Sequence, residues 1–235
     1  MAKYSSDHPI FYVTVDVAIL TVHDDELQVL LVKRRNEPYA GKLALPGGFV
    51  DPDEDLTDAA RRELREETGL TDVPFEQLAS YGAPGRDPRG RIVSVAHVAI
   101  VPEPLSARAG DDASEAGWHA VEPLLRSRGR LGFDHKQIVT DAVERVRTKL
   151  ERTTLATSFV AEEFTLSDLR SVYEVVWGHP LDPGNFQRKV TKTEDFVAET
   201  GRMRPSQGPG RPAGLYRARR PGIHPLSIPI SRPQA

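Results

Sequence analysis

The sequence predicts an α/β (α+β) protein in two parts: a mixed helix and sheet domain over residues 1–152, then a winged helix-turn-helix domain with a C-terminal tail over 153–235. Three observations carry this expectation. Two long runs of apolar, β-branched residues, FYVTVDVAILTV from Phe11 and IVSVAHVAIV from Ile92, lie either side of a capped amphipathic helix. Past residue 165, two short helical segments joined by a glycine-containing turn precede a hairpin signal. The charge also divides, with 19 Lys and Arg against 25 Asp and Glu in residues 1–150 and 12 against 9 in residues 151–235. An acidic front half fits a metal-binding core, and a basic back end fits a polyanionic partner.

In chain order, Phe11 to Val22 reads as a strand buried on both faces, Asp24-Asp25-Glu26 as a polar turn, and Leu27 to Val32 as the hairpin partner. Lys33, Arg34 and Arg35 close that strand, either as a solvated end or as a phosphate or ribose contact. Glu37 to Lys42 is loop by its proline and glycine, and LALPGG over 43–48 delivers the chain to an acidic stretch.

That stretch, GGFVDPDEDLTDAARRELREETGL over 47–70, contains one helix with Asp55 as N-cap, Asp58 in its first turn and Gly69 at the left-handed C-cap. Glu63, Glu66 and Glu67 stand at i, i+3 and i+4, so they project from one face within a turn. Like charges at that spacing repel unless a hard divalent cation sits among them. Taken alone, the segment also reads as a surface helix laced by Arg62 to Glu66 pairing.

The spacing extends upstream, from Gly48 through five residues to Glu54 and seven more to Arg62-Glu63-Leu64-Arg65-Glu66-Glu67-Thr68-Gly69-Leu70. This resembles the Nudix box, with every specified position filled. The resemblance implies an α/β/α sandwich with a mixed sheet and a site for a nucleoside diphosphate linked to a further group. It implies Glu63, Glu66 and Glu67 as ligands of Mg²⁺ or Mn²⁺, the Gly48 carbonyl as an added ligand, and a Glu54–Arg62 pair bracing the loop. The cation would neutralise pyrophosphate and acidify an attacking water, with Glu63 and Glu67 in the catalytic set. Many relatives carry tryptophan where Leu43 stands, so no aromatic contact is expected there.

Beyond the helix, Phe75 to Tyr81 reads as a strand, residues 82–91 as a breaker-rich loop, and Ile92 to Val101 as a second buried strand. Arg86-Asp87-Pro88-Arg89-Gly90 resembles the Nudix members that handle ADP-ribose. Arg86, Arg89 and Arg91 therefore either fork onto phosphate and ribose oxygens, beside Arg34 and Arg35, or keep a hairpin tip soluble. Pro102 to Gly117 reads as a small-residue loop ahead of Trp118. In the implied fold a late-loop carboxylate often serves as base or extra ligand, which makes Glu115 the third catalytic candidate and leaves Asp111 and Asp112 solvated. His97, within an apolar strand, reads as a satisfied core residue. Phe133-Asp134-His135 opens a helix to about Arg152, whose stripe of Ile138, Ala142, Val146 and Leu150 is core or dimer surface.

In the second domain Thr165 to Asp168 has capping-box spacing for a helix from Leu169 to Trp177, and Gly178-His179-Pro180 breaks it. Asp182-Pro183 opens another helix to about Thr193. There Phe186 and Val190 face one way, while Asn185, Arg188, Lys189 and Lys192 line another and suit a DNA major groove or a merely basic surface. Phe196 to Glu199 and Leu215 to Arg217 read as strands flanking a loop that carries Arg202, Arg204 and Arg211 on a tether to phosphates or a minor groove, or as a linker.

Asp168-Leu169-Arg170, Val172-Tyr173-Glu174, Asn185-Phe186 and Leu215-Tyr216-Arg217, with the FDH triplet, resemble the Nudix-related transcriptional regulators of NAD metabolism. That resemblance implies a homodimeric repressor of NAD biosynthesis or salvage genes, released from double-stranded operator DNA by ADP-ribose or a related nucleotide. A Mg²⁺-dependent ADP-ribose pyrophosphatase with an accessory winged helix is the alternative, and a binder of another nucleoside diphosphate compound is a third reading. The chain has no cysteine, no apolar run of bilayer length and no signal-peptide pattern, which suits the cytoplasm. The tail from Arg219, rich in proline and isoleucine, either lies across a partner subunit or is disordered.

Overall fold

The computed structural model describes residues 7–71, 73–105, 113–205 and 211–233; Asp111 and Asp112 lie outside them. The first buried run forms β1 (Tyr12–His23), with every side chain from Thr14 to Thr21 buried. Asp24 and Asp25 both take positive φ, as a two-residue hairpin turn demands, and β2 (Glu26–Arg34) returns antiparallel. Beyond that hairpin β1 and β2 splay apart. The fork is filled by β3 (Leu43–Ala44), paired with β2, and β4 (Gly47–Phe49), paired with Thr14 to Asp16 of β1. The acidic stretch then forms α1 (Leu56–Thr68), whose start Asp55 caps through the Leu56 N–H and whose end Gly69 closes in the left-handed conformation.

Next come β5 (Phe75–Tyr81), β6 (Ile92–Ile100) and β7 (Ala113–Ala120), then α2 (Val121–Arg126) and α3 (His135–Arg152). β6 lies parallel to β1 and antiparallel to β5, while β7 pairs antiparallel with β2, completing a mixed sheet of seven strands. The small-residue loop expected up to Gly117 is in part this strand. Pairing with β2 satisfies its backbone, and Trp118 packs against the α1-side core while its Nε1 donates to the Leu105 carbonyl at 3.0 Å.

Strand alternation divides the core. Val15, Val17, Ile19 and Leu30 meet Ala59, Ala60 and Leu64 of α1, whereas Ala18, Leu20, Val29 and Leu31 meet Ile138, Ala142, Val146 and Leu150 of α3. The α3 stripe is thus core, and the sandwich is α/β/α.

After a 3₁₀ turn (Thr154–Phe159), α4 (Leu166–Trp177) starts three residues earlier than expected, because Thr165 and Asp168 bond each other's backbone N–H in a complete capping box. The second helix, α5 (Pro183–Lys192), is capped by Asp182 through the Asn185 N–H at 2.8 Å. β8 (Val197–Arg204) and β9 (Ala213–Ala218) pair antiparallel as a wing, both longer than expected. Val172, Val176 and Trp177 of α4 share one buried cluster with Val143, Val146 and Leu150 of α3, so the core runs on between the two parts.

The tail folds back on its own chain. The last four carbonyls of a helix lack intrahelical partners. Those of Arg152 and Glu151 accept from Leu226 N at 2.8 Å and Ile230 N at 2.9 Å, and both apolar side chains are buried. Among the described residues, no helix is long and apolar enough to cross a membrane.

Candidate functional site

Arg62 organises the first half of the site. Its Nε donates to Glu54 at 3.0 Å, its Nη2 to the Phe49 carbonyl at 2.9 Å, and its Nη1 to Glu63 at 2.7 Å and Glu66 at 3.2 Å. Glu54 also accepts from Asp51 N at 2.8 Å, so the box loop is braced onto α1, and these bonds hold its carboxyl below the usual range.

One turn apart, Glu63 and Glu67 look into a cavity of about 450 Å³ at the fork of β1 and β2. Glu67 accepts from Gly47 N at 2.9 Å, yet burial pushes its carboxyl up to about 8, with the charges of Glu63 and Asp16 adding to the effect. Burial also raises Glu63 despite Arg62 beside it. Gly48 passes so close to Glu63 that a Cβ there would stand 2.2 Å from Oε1. Glu66 is half exposed and outside the lining, because i+3 and i+4 diverge by about 100° around a helix. The shared face therefore holds for Glu63 and Glu67 and only loosely for Glu66. Among the described residues no three acidic or imidazole side chains already form a cation cage. The pair nevertheless suits a hard cation: its donors are oxygens, its buried charge is under-compensated, and the glycine leaves room only for backbone.

On the opposite wall Arg34, Arg86 and Arg89 stand where the sequence pointed, whereas His135 and Asp16 were not singled out as site residues. His135, buried at the start of α3, accepts the Leu45 N–H on Nδ1 at 2.9 Å and sets Nε2 3.3 Å from Asp16, while burial keeps its pKa low. Ser94 donates its hydroxyl to the same Asp16. Arg86 lines the cavity but forks onto Asp134, at 2.8 and 2.7 Å. Arg89 forks onto Asp87 and lies over the Phe49 and Phe133 rings, 4.8 and 5.3 Å from their centroids. Arg34 donates to the Pro38 carbonyl at 2.8 Å and covers Phe133 at 4.8 Å. The cavity thus brings Arg34, Arg86 and Arg89 together opposite the carboxylates. An Asp within the apolar run of β1 was the one available signal, since a buried carboxylate requires partners.

Three expected site residues stand elsewhere. Arg91 donates to the Gly82 carbonyl at 2.7 Å and covers Phe11, outside the lining, and Arg35 is exposed beyond it. Glu115 pairs across the sheet with Lys33, and alternation sets it on the α3 face, in a separate cavity with His119 and Arg130. It cannot serve there as a base for chemistry at Glu63 and Glu67. His97 is core as expected, edge-on to Phe75, although its Nδ1 meets no hydrogen-bond partner among the described residues.

In the second part, Phe186 and Val190 of α5 are buried, with Phe186 edge-on to Tyr173. Asn185, Arg188 and Lys192 are exposed and Lys189 is half-buried, and Arg188 donates to Asn185. The wing departs from the expected tether. Arg202 and Arg204 lie on β8 and are tied to Glu163 and, at 2.7 Å, to the capping residue Asp168; Arg211 is exposed where the wing returns.

Residues 13–142 match the NUDIX domain, and residues 156–218 match the NrtR DNA-binding winged helix domain. The chain is 36% identical over 220 residues to the ADPR responsive transcriptional repressor NtrR of Acinetobacter baylyi, covering 92% of this chain and 86% of that one. Its structure resembles that of Shewanella oneidensis NrtR complexed with a 27mer DNA, with a TM-score of 0.75 and 35% identity over 88% of this chain and 93% of the other. The NUDIX domain of Shewanella oneidensis NrtR complexed with ADP ribose matches with a TM-score of 0.57 and 35% identity, over 62% of this chain and 95% of that one.

Proposed function

Because this chain belongs to the Nudix family, in the branch that joins a Nudix domain to an NrtR-type winged helix, we propose that it is a transcriptional repressor that releases operator DNA when ADP-ribose or a related nucleotide fills the cavity at the β1–β2 fork. The observation that carries this reading is the extent of the match. Similarity to an ADPR responsive repressor runs over 92% of the chain, so both the nucleotide pocket and the basic helix α5 belong to it. The targets are genes of NAD biosynthesis or salvage, and the working form in the cytoplasm is a homodimer that sets two copies of α5 on two half-sites.

We divide the chain at Arg152, with residues 1–152 taking the nucleotide and 153–235 the DNA. Arg34, Arg86 and Arg89 supply the guanidinium groups for the diphosphate and ribose, and Phe49 and Phe133 offer flat faces beside them. Members of the Nudix hydrolase family use divalent metal ions. Here Glu63 and Glu67, with Glu66 and the Gly48 carbonyl, would hold Mg²⁺ or Mn²⁺, and Glu54 and Arg62 brace them. When bound, that cation neutralises the diphosphate and acidifies a water. On α5, Asn185, Arg188, Lys189 and Lys192 meet the major groove, while Arg211, and Arg202 and Arg204 once exchanged from Glu163 and Asp168, meet flanking phosphates.

The complete Nudix box favours a second reading, hydrolysis of ADP-ribose with the winged helix as an accessory. One experiment separates them. The protein is used to enrich duplexes from a random-sequence pool, and the enriched duplex is run in gel shifts against ADP-ribose, AMP and NAD. A repressor enriches a defined site and loses it to ADP-ribose; failure to enrich any sequence leaves the pyrophosphatase reading.

A further inference from the structure

We propose that the Arg86–Asp134 pair is a positioning latch: a nucleoside diphosphate in the cavity draws Arg86 off Asp134, Asp134 then caps α3, and the shifted helix carries the change to the winged helix. The proposal rests on the repressor reading above.

The first observation is a cap not made. Asp55, Thr165 and Asp182 each precede a helix with extended backbone, at ψ 158°, 159° and 121°, and each accepts a hydrogen bond from that helix's first turn. Asp134 precedes α3 in the same way but stands at φ −96° and ψ 19° and makes no side-chain cap. Aspartate is among the strongest N-caps, and the first four N–H groups of a helix lack intrahelical partners. Its carboxylate is instead held by both forks of Arg86. Asp134 therefore has two competing partners within reach, the Arg86 guanidinium and the start of α3.

The second observation is where the competition is decided. Arg86 lines the nucleotide cavity with its side chain only 3% exposed. A diphosphate is the anion best able to displace a carboxylate from a guanidinium fork, because it offers more acceptor oxygens and more charge. The adjoining Phe133, also in the lining, has φ 51°, a strained value for an aromatic residue, so the turn into α3 is under strain at the cavity wall itself.

The third observation is the far end of the same helix. Arg147 Nε donates to the Val176 carbonyl at 2.8 Å, and Trp177 Nε1 donates to the Arg147 carbonyl at 3.3 Å. Val146 and Leu150 share the buried cluster of α4. A single helix thus touches the nucleotide wall at one end and the DNA-binding part at the other, as transmission between two sites requires.

The test measures affinity for the enriched duplex by fluorescence anisotropy, with and without saturating ADP-ribose, in EDTA so that hydrolysis cannot intervene. Asp134→Ser keeps a good cap and loses the ion pair, so it should already sit in the released state. Its duplex affinity without ligand should fall at least threefold below wild type, and ADP-ribose should change it little. Arg86→Lys keeps the charge but cannot fork onto Asp134, so its duplex affinity without ligand should likewise fall at least threefold, a readout that does not depend on any nucleotide contact by Arg86; it decides the matter if the serine variant does not fold. Wild-type affinity with a full ADP-ribose response in either folded variant overturns the latch. An absent response in the wild type overturns the repressor reading itself.

Discussion

The carboxylate of Glu63 occupies the space that a side chain at Gly48 would need: a Cβ there would stand 2.2 Å from Oε1. Gly48→Ala should therefore swing Glu63 away from Glu67 while leaving the backbone unstrained. We expect Mg²⁺ affinity, read by calorimetry, to fall at least tenfold, about 1.4 kcal/mol, with a stability loss within about 1 kcal/mol. Unchanged Mg²⁺ affinity would remove Glu63 from the metal set.

The buried Glu67 carboxyl, raised to about 8, makes the metal-free protein sensitive to pH. The folded state keeps a proton that the unfolded chain gives up near its ordinary value, so this contribution is fully present below that value and is lost as pH rises towards about 8. In EDTA the melting temperature should fall over that window more steeply than in Glu67→Gln. Mg²⁺ affinity should rise over the same window, because the cation displaces the proton. Parallel slopes in the two proteins would contradict the assignment.

Lys192 is exposed on the same α5 surface as Asn185 and Arg188. Lys192→Gln should weaken binding of every duplex tested and reduce the slope of log affinity against log salt by about one for each phosphate that Lys192 neutralises. An unchanged slope would place the DNA on another face.

The tail is structural in its own chain. Ile230, only 3% exposed, is buried beside the end of α3, so Ile230→Ala should cost about 2–5 kcal/mol in urea unfolding. A loss under about 0.5 kcal/mol would mean that the tail detaches freely.

What could be read in advance were the features written locally. Asp55, Gly69, Thr165, Asp168 and Asp182 mark helix ends within a few residues of the bonds that they make. Glu63 and Glu67 are brought together by helical period alone. β7 escaped because its small residues have little intrinsic strand preference and gain it from pairing with β2. His135 and Asp16 escaped because the fold unites residues more than a hundred positions apart. The partners of the arginines were hidden for a related reason. Sequence shows a cation but not its partner, and Arg86, Arg202 and Arg204 find Asp134, Glu163 and Asp168 at a distance. Glu115 failed by a single strand register, which sets it on the other face of the sheet.

If nucleotide and DNA compete through one chain, linkage makes the effect reciprocal. The measurement is calorimetric titration of ADP-ribose into EDTA-treated protein, alone and then saturated with its enriched duplex. Duplex should weaken ADP-ribose by the same factor by which ADP-ribose weakens duplex; tenfold corresponds to about 1.4 kcal/mol. Equal ADP-ribose affinities in the two titrations would contradict it.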